Sequence, residues 1–321
     1  MGMPLEVRSS TADDRAQVLD LCRSTLGWTD GALDEQFFVW KHEENPFGTS
    51  PSWVAVADGR IVGVRVFMRW GFVAPDGSRF RAVRAVDTAT DPEWQGRGIF
   101  RRLTLGALPD LRAQGVDFVF NTPNDKSRPG YLKMGWSVVG RVPVSVRLTR
   151  PGAARRLLGA RTAADRWSEA VSVGLDPEDA FADTDAVERL LAHGGSSRMS
   201  TDRSVEYLRW RYRFGPLAYR VLPRGDRIDD GVVVLRVRRR GPAVEATVCE
   251  VLGPEPSPSF WAHVASSTGA DFALRTGRGP LAGRFLPVPR LGPILTWKPL
   301  AAPGVPALSG LELSLGDVEM F

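Results

Sequence analysis

The chain has 321 residues and 43% hydrophobic content, which is enough to bury two ordinary cores, so we expect two domains. The formal net charge is +5 with a pI near 9.6, and nearly all positive charge is arginine, a bias more typical of high-GC coding than of nucleic-acid binding. The two cysteines, Cys22 and Cys249, lie far apart without metal-type spacing and argue against a disulfide scaffold or structural zinc.

The sequence contains no apolar run long enough to span a bilayer, and its first residues lack the charged and apolar regions of a signal peptide. We therefore expect no membrane span, no metal, no nucleic-acid partner and a cytoplasmic location. The oligomeric state is not indicated by any pattern in the sequence.

The first 83 residues predict alternating strands and helices. Residues 5–8 predict a strand, Thr11-x-x-Asp14 is typical of a capping box for a helix through Cys22, and a second helix is expected over 33–42. Two hairpins follow, one pairing 53–57 with 61–70 and one pairing 72–75 with 80–83 about Asp76-Gly77.

A glycine-rich turn, Gln95-Gly96-Arg97-Gly98-Ile99-Phe100, lies between a predicted strand over 83–90 and a predicted helix over 100–114. Backbone N–H groups at the positive end of a helix can hold a pyrophosphate. Two glycines alone are equally typical of a structural turn that binds no ligand.

The segment that follows changes this balance. After a predicted strand over 116–121 the chain reads Asn124, Ser127, Tyr131, Lys133, Gly135, Trp136, spaced as Asn-x2-Ser-x3-Tyr-x-Lys-x-Gly-Trp. With residues 90–98 this resembles the GNAT acyltransferase superfamily, whose acyl-CoA site reads strand, Val-x-Pro-x-x-Gln/Arg-x-x-Gly-x-Gly/Ala, helix, strand, then Asn-x2-Ala-x3-Tyr-x-Lys-x-Gly-Phe. Phe100, Ser127 and Pro129 depart from that pattern, and we interpret them as family variation that bears mainly on the acyl pocket.

The resemblance implies an acyl-CoA-dependent N-acyltransferase, most simply an acetyltransferase, with acetyl-CoA or another acyl-CoA as cosubstrate. The excess of positive charge favours such an acidic cosubstrate. Tyr131 aligns with the tyrosine that protonates the departing thiolate, with a core aromatic as the alternative. The implied cosubstrate-binding residues are Ala89, Thr90, Gln95, Gly96, Arg97, Gly98, Ile99, Phe100, Asn124 and Ser127.

The base that takes the proton of the incoming amine has three candidates. Asp87 lies in the strand beside the turn, where a buried carboxylate can have a raised pKa, or else it pairs with Arg84 or Arg81. His42 titrates in a useful range, and a surface helix end explains it equally well. The terminal carboxylate of Phe321 is the third, because some tandem GNAT-type enzymes use theirs.

Internal similarity predicts two copies of one α/β unit. Residues 115–122 have a weaker echo in 269–276, and residues 37–41 with 53–57 have one in 207–211 with 219–222. We predict two GNAT-like domains, each a mixed, mostly antiparallel sheet flanked by helices: a catalytic domain over 1–150, a connector over 151–166 and a degenerate copy over 167–321. In the second copy the proline-rich turn over 253–258 has few N–H donors and cannot hold the same anion.

The acceptor is a small-molecule or protein amine that the sequence does not identify. Five aromatic residues are candidates for an acceptor cleft, although core packing is the more common reason for such spacing: Trp28, Phe37, Trp40, Trp70 and Trp136. Two other functions stay open, an aminoacyl-tRNA-dependent transferase of similar architecture and a non-catalytic acetyl-CoA sensor or scaffold. The intact glycine turn favours CoA, and the absence of a clustered basic and aromatic surface argues against tRNA.

Overall fold

The computed structural model describes residues 5–28, 31–150, 152–159, 162–277, 283–301 and 304–318. The chain divides into two compact units. Unit 1 comprises residues 1–73, 78–140 and 294–307, and unit 2 comprises 74–77, 141–293 and 308–321. Neither unit is one continuous segment of the chain.

The described residues form strands and α-helices that we number in chain order. The strands are β1 Glu6–Ser9, β2 Ser52–Ala57, β3 Arg60–Val73, β4 Arg79–Thr90, β5 Phe118–Asn121, β6 Ser137–Arg141, β7 Val144–Leu148, β8 Met199–Thr201, β9 Arg220–Pro223, β10 Val232–Arg240, β11 Ala243–Leu252, β12 Phe272–Thr276, β13 Leu286–Pro287, β14 Ile294–Pro299 and β15 Leu311–Glu312. The helices are α1 Arg15–Leu26, α2 Ala32–His42, α3 Ile99–Ala113, α4 Arg128–Lys133, α5 Ala153–Gly159, α6 Pro177–Ala180, α7 Thr184–Ala192, α8 Val205–Tyr212, α9 Pro258–Ser267 and α10 Leu315–Val318.

Unit 1 is built on a sheet with strand order β1-β2-β3-β4-β5-β14-β6. Its pairs are antiparallel from β1 to β4 and between β5 and β14, whereas β4 and β5 run parallel. Helix α3 is the crossover between β4 and β5, and its apolar residues recur every four positions, so that Ile99, Leu103, Ala107 and Leu111 are all buried.

Several local predictions for unit 1 are confirmed. Thr11 and Asp14 form the predicted capping box, now seen at a short 3-10 turn over Ala12–Asp14 that leads into α1. Helices α2 and α3 lie within one residue of their predicted positions, and the predicted hairpin of β2 with β3 is present. Pro129 does not interrupt α4, because it stands in the first turn, where a missing N–H costs nothing.

The prediction of two separate strands over 61–70 and 72–75 is wrong, because β3 runs unbroken from Arg60 to Val73. Gly71 lies between the two predicted strands. A Cβ atom at Gly71 would lie 2.5 Å from the ring of Phe47, so the glycine makes room for an aromatic side chain within a continuous strand.

Unit 2 contains a sheet with strand order β13-β7-β12-β11-β10-β9. The strands β9, β10 and β11 are antiparallel, α9 follows β11, and β12 returns parallel to β11. Unit 1 has the same succession in β2, β3, β4, α3 and β5. The predicted fold class, α/β with two mostly antiparallel sheets flanked by helices, is therefore confirmed.

The two units differ at the turn before the crossover helix. In unit 2 the helix α9 begins at Pro258, which has no N–H, and the N–H of Phe260 is taken by the side chain of Ser257 at 3.2 Å. The last strand, β15, has only two residues and is followed by α10. None of the described helices is long and apolar enough to cross a bilayer.

Each sheet includes one internal strand from a distant part of the chain. β14 lies between β5 and β6 in unit 1, although it follows most of unit 2 in sequence. Its Trp297 is buried and stacks on Phe118 of β5, with ring centroids 3.8 Å apart. In unit 2, β7 lies between β12 and β13, although it directly follows β6 in the chain.

Candidate active site

In unit 1, β4 continues past the end of its pairing with β5, and we call the point where this pairing ends the fork. Their register covers three pairs, from Ala82 opposite Phe118 to Arg84 opposite Phe120. At the fork, Nη2 of Arg84 donates a hydrogen bond to Oγ1 of Thr122 at 2.8 Å. The part of β4 beyond the fork carries Asp87, Ala89 and Thr90, three of the residues singled out by the sequence.

A β-bulge lies in this part of β4. The register with β3 steps from Val66 opposite Val86 to Arg65 opposite Thr88, and Asp87 is the extra residue, with φ of +38°. A bulge of this kind bends the strand and redirects one side chain. The redirected side chain here is the Asp87 carboxylate.

Asp87 is held by two consecutive residues at the end of α2. Nζ of Lys41 lies 3.0 Å and 2.8 Å from the two carboxylate oxygens, and Nε2 of His42 lies 2.7 Å from Oδ2. Nδ1 of His42 in turn lies 3.0 Å from Oγ of Ser50. The structure thus joins two of the predicted base candidates, Asp87 and His42, in one buried network, and it pairs Asp87 with Lys41 instead of the arginines that the sequence suggested.

The network fixes the charge states of its members. Burial raises the pKa of Asp87, but the charge of Lys41 and the hydrogen bond from His42 outweigh it and leave that pKa below its ordinary value. Burial lowers the pKa of His42, against the opposing effect of Asp87. Asp87 is therefore ionised and His42 neutral near pH 7, and both nitrogens of His42 are engaged.

The glycine-rich turn connects β4 to α3. Gly96 and Gly98 both adopt positive φ, +76° and +74°, and residues 95–98 are exposed. A Cβ atom at either glycine would meet nothing within 4 Å, so the surface above the turn is open. The guanidinium of Arg97 lies 4.5 Å from the centre of the Trp94 ring, and Nε2 of Gln95 donates to the carbonyl of Thr90 at 3.3 Å.

The N–H groups of this turn fit an anionic group. Among the described residues, the N–H groups of Gly96, Arg97 and Gly98 donate no turn, loop or cap hydrogen bond to a backbone carbonyl. Ile99, Phe100 and Arg101 form the first turn of α3, whose N–H groups have no partner inside the helix. A positive helix end with exposed donors and an arginine beside it suits a phosphate or pyrophosphate.

Asn124 and Ser127 shape the loop that leads into α4. Oδ1 of Asn124 accepts from the N–H of Lys126 at 3.1 Å, the N–H of Ser127 at 2.9 Å and the hydroxyl of Ser127 at 3.1 Å. The amide oxygen of Asn124 is thereby committed to the loop, whereas its NH2 group points away from these contacts. This loop holds α4, and with it Tyr131, in place.

Tyr131 belongs to the Asn124–Trp136 pattern and contacts α3, the helix that follows the glycine-rich turn. Its ring packs edge-on against Phe100 of α3 at 5.3 Å and against Trp136 at 5.4 Å. Phe100 also contacts Gly130, where an added Cβ would lie 3.0 Å from the Phe100 ring. The unusual Phe100 therefore packs beside the tyrosine, and glycine at position 130 makes room for it.

The hydroxyl of Tyr131 accepts a hydrogen bond from Arg65 of β3, which also donates to Thr88 of β4. Arg65 is 1% exposed. Arg65 could not be recognised from the sequence, because an arginine in an alternating strand segment, Val64-Arg65-Val66, is typical of a solvent-facing position. Its only signal was the apolar character of the strand on both faces.

A comparison with known protein families agrees with this geometry. Residues 6–139 match the family model described as an acetyltransferase (GNAT) domain. Residues 6–139 are therefore similar to GNAT acetyltransferase domains.

The chain has a curated relative and many solved structures of similar fold. A mycothiol acetyltransferase from Thermobifida fusca (strain YX) is 31% identical over 128 residues, which cover 35% of this chain and 38% of that protein. The chain thus matches little more than a third of the length of this relative.

Solved structures extend the likeness beyond residues 6–139. A GCN5-related N-acetyltransferase from Kribbella flavida aligns with a TM-score of 0.63 at 17% identity, over 94% of this chain and 72% of that structure. Another from Anabaena variabilis aligns with a TM-score of 0.63 at 12% identity, over 92% of this chain and 73% of that structure. At these identities the likeness shows the fold, and it does so for nearly the whole chain.

Other candidates from the sequence fall outside this constellation. Phe321 lies outside the described residues. The five aromatic residues proposed for an acceptor cleft are all buried, and two pairs of them are in ring contact, Trp28 with Phe37 at 6.0 Å and Phe37 with Trp40 at 5.6 Å. Core packing accounts for them.

Proposed function

We propose that the protein is an acyl-CoA-dependent N-acyltransferase, most simply an N-acetyltransferase, that moves an acyl group directly to an amine. The observation that carries this proposal is the contact between Phe100 and Tyr131. This contact supports the proposal, because the hydroxyl-bearing ring packs against the helix whose N-terminus is suited to a pyrophosphate, within the residues that match the GNAT domain model.

The residues of the glycine turn would hold the cosubstrate. The N–H groups of Arg97, Gly98, Ile99 and Phe100 would donate to the pyrophosphate, and the Arg97 side chain would add positive charge. Ala89 and Thr90, on the part of β4 beyond the fork, would orient the acyl carbonyl. The free NH2 group of Asn124 is available to the pantetheine arm.

Tyr131 would act as the general acid. The thioester supplies an activated acyl group, so an amine held beside it attacks without a covalent enzyme intermediate, and positioning supplies much of the rate. When the carbon–sulfur bond breaks, the sulfur keeps the electron pair and takes the proton of the Tyr131 hydroxyl. The amine loses its proton, and the products are an amide and CoA thiol.

We infer that Asp87 and His42 anchor β4 and do not act as the base. The ionised Asp87 is neutralised by Lys41, and its side chain is 12% exposed, whereas His42 is fully enclosed. Together they hold the bulge that shapes β4 at the fork. Proton abstraction by the carboxylate of Phe321 remains a proposal for mutagenesis.

The acceptor and the role of unit 2 are also proposals. The relative's name refers to mycothiol, and this points to small amines as the first acceptors to screen, with protein amines second. A cytoplasmic location and a degenerate GNAT-like fold for the second half are our working assumptions.

Calorimetric titration with acetyl-CoA tests the proposed function. We expect one site per chain and loss of binding in Gly98→Asp, because a carboxylate would face the pyrophosphate. Gly98→Asn is the matched variant, since asparagine has the same shape and tolerates positive φ but carries no charge. It should retain more affinity than Gly98→Asp.

Gly277→Asp is a second control, because Gly277 also has positive φ and open space around it but lies in unit 2. It should bind acetyl-CoA like the wild-type protein. If the wild-type protein binds neither acetyl-CoA nor longer acyl-CoAs, the proposal is wrong and a tRNA-dependent function takes its place.

A further inference from the structure

Arg65 is a buried cation whose partners carry no charge. Its guanidinium donates to the hydroxyls of Thr88 and Tyr131, and its Nε has no hydrogen-bond partner among the described residues. Its Cζ atom lies 5.0 Å from the ring of Phe67, 5.4 Å from that of Phe100 and 5.2 Å from that of Tyr131. In the part of the chain that the structure describes, no carboxylate is paired with it.

This arrangement costs stability. Buried charges in proteins are ordinarily paired, because removing an ion from water is expensive. Attraction to three aromatic rings offsets part of the cost but does not neutralise the charge. A cation kept in this state fits a site where negative charge develops transiently.

The hydrogen-bond capacity of Tyr131 shows where that charge would appear. A phenol has one proton to donate and lone pairs with which to accept. The contact with Arg65 uses a lone pair, so the proton of the hydroxyl is left for another acceptor. A tyrosine that gives this proton away becomes an anion in direct contact with the guanidinium.

We propose that Arg65 is a positioning residue that orients the Tyr131 hydroxyl and stabilises the tyrosinate formed when Tyr131 protonates the departing thiolate. This inference rests on the proposed function. The carbon–sulfur bond breaks, the sulfur receives the tyrosine proton, and the negative charge passes to the phenolate oxygen beside Arg65. Solvent returns a proton to Tyr131 after the thiol leaves, so the cycle needs no further reactant.

The first test compares turnover and cosubstrate affinity in Arg65→Met, Arg65→Lys and the same-strand control Arg69→Met. Arg65→Met should lower kcat on the order of 10²-fold, with KM for acetyl-CoA and its calorimetric Kd nearly unchanged. Arg65→Lys should recover part of the rate, and Arg69→Met should behave like the wild-type protein.

Combining Arg65→Met with Tyr131→Phe should lower kcat no further than Tyr131→Phe alone. An additional loss in the double variant would overturn the proposal, because Arg65 would then act independently of the tyrosine. Thermal stability should stay equal or rise in Arg65→Met, since an uncompensated buried charge is removed. A large loss of stability would identify Arg65 as merely structural.

The second test does not depend on catalysis. The chain has four tyrosines, and burial raises the pKa of the other three, Tyr207, Tyr212 and Tyr219. An alkaline titration of tyrosinate absorbance in the wild-type protein and in Tyr131→Phe identifies, by difference, the step that belongs to Tyr131.

Arg65→Met should move the Tyr131 step to higher pH, and Arg69→Met should not. An unmoved step would overturn the proposal even if the protein is an acetyltransferase. A moved step in a protein that fails to bind acetyl-CoA would support the contact between Arg65 and Tyr131 and reject the proposed function alone.

Discussion

At the scale of single residues, Tyr131 offers the most direct test of the chemistry. Tyr131→Phe keeps the ring that packs on Phe100 and Trp136 but removes the hydroxyl, so we expect turnover to fall on the order of 10²-fold. The calorimetric Kd for acetyl-CoA should change little. The measurement is thiol release with the best amine from an acceptor panel, and equal losses of binding and turnover would contradict a role confined to acid catalysis.

His42 predicts an acid-sensitive stability. In the unfolded chain this histidine takes up a proton near its ordinary pKa of 6.5, whereas burial lowers its pKa in the folded protein. Below that pH the unfolded state binds more protons, so the free energy of unfolding should decrease as the pH falls from about 6.5. Asp87, whose pKa is lowered in the folded protein, acts in the same direction at still lower pH.

His42→Gln should flatten the dependence of Tm on pH between about pH 7 and pH 5, because glutamine does not titrate there. The chain has three histidines, and His263→Gln is the control because His263 is exposed. Tm is measured by calorimetry across a pH series. Equal slopes of Tm against pH in the wild-type protein and His42→Gln would show that another group causes the loss of stability at acidic pH.

At the scale of elements, the position of α3 depends on a glycine in β3. A Cβ atom at Gly63 would lie 2.6 Å from Cγ2 of Ile99 and 3.3 Å from Cδ1 of Leu103. The γ-methyl of isoleucine has little freedom in a helix, so Gly63→Ala should push away the start of α3. We expect a loss of about 1–3 kcal/mol in stability and weaker acetyl-CoA binding.

The matched control for Gly63→Ala is Gly106→Ala, in the interior of α3, where an added Cβ meets nothing within 4 Å. It should stabilise the protein by about 0.5–1 kcal/mol through helix propensity and leave acetyl-CoA affinity unchanged. The double variant Gly63→Ala/Ile99→Ala removes the side chain that clashes with the new Cβ atom. Its loss in free energy of unfolding should be smaller than the sum of the losses in the two single variants. Additive costs, measured by denaturant unfolding, would mean that the two residues do not compete for space.

The sequence predicted those elements whose signals are local. Apolar residues four positions apart predict helix α3. Two residues three positions apart, Thr11 and Asp14, predict the capping box. The bulge at Asp87 and its ion pair with Lys41 could not be read in this way, because the partners lie 46 positions apart and burial decides which charges meet. The burial of Arg65 could not be predicted for a related reason, because strand alternation does not tell whether both faces of a sheet are covered.

At the scale of the whole molecule, the positions of β7 and β14 predict how the chain behaves when it is divided into two fragments. β14 lies in the sheet of unit 1 and β7 in the sheet of unit 2. A fragment of residues 1–141 lacks β14, so the side of β5 that Trp297 covers would be exposed, and we expect it to aggregate or remain unfolded. Residues 142–321 keep β7 between β12 and β13 and should fold.

Circular dichroism and size-exclusion chromatography of the two fragments check this expectation. Co-expression should recover soluble 1–141, because the second fragment supplies β14. A monomeric, folded 1–141 fragment that binds acetyl-CoA would show that the first unit completes its sheet by itself.

The sequence separation between β5 and β14 also determines how long β5 waits for its neighbour during synthesis. Asn121 and Thr296, which are hydrogen-bonded across these strands at 2.6 Å, are 175 positions apart in the chain. At the usual 5–20 residues per second a ribosome needs roughly 10 to 35 s to cover that distance. During this interval the nascent chain carries a strand whose permanent neighbour has not yet been translated, and cells that produce the protein must keep that strand from pairing with others.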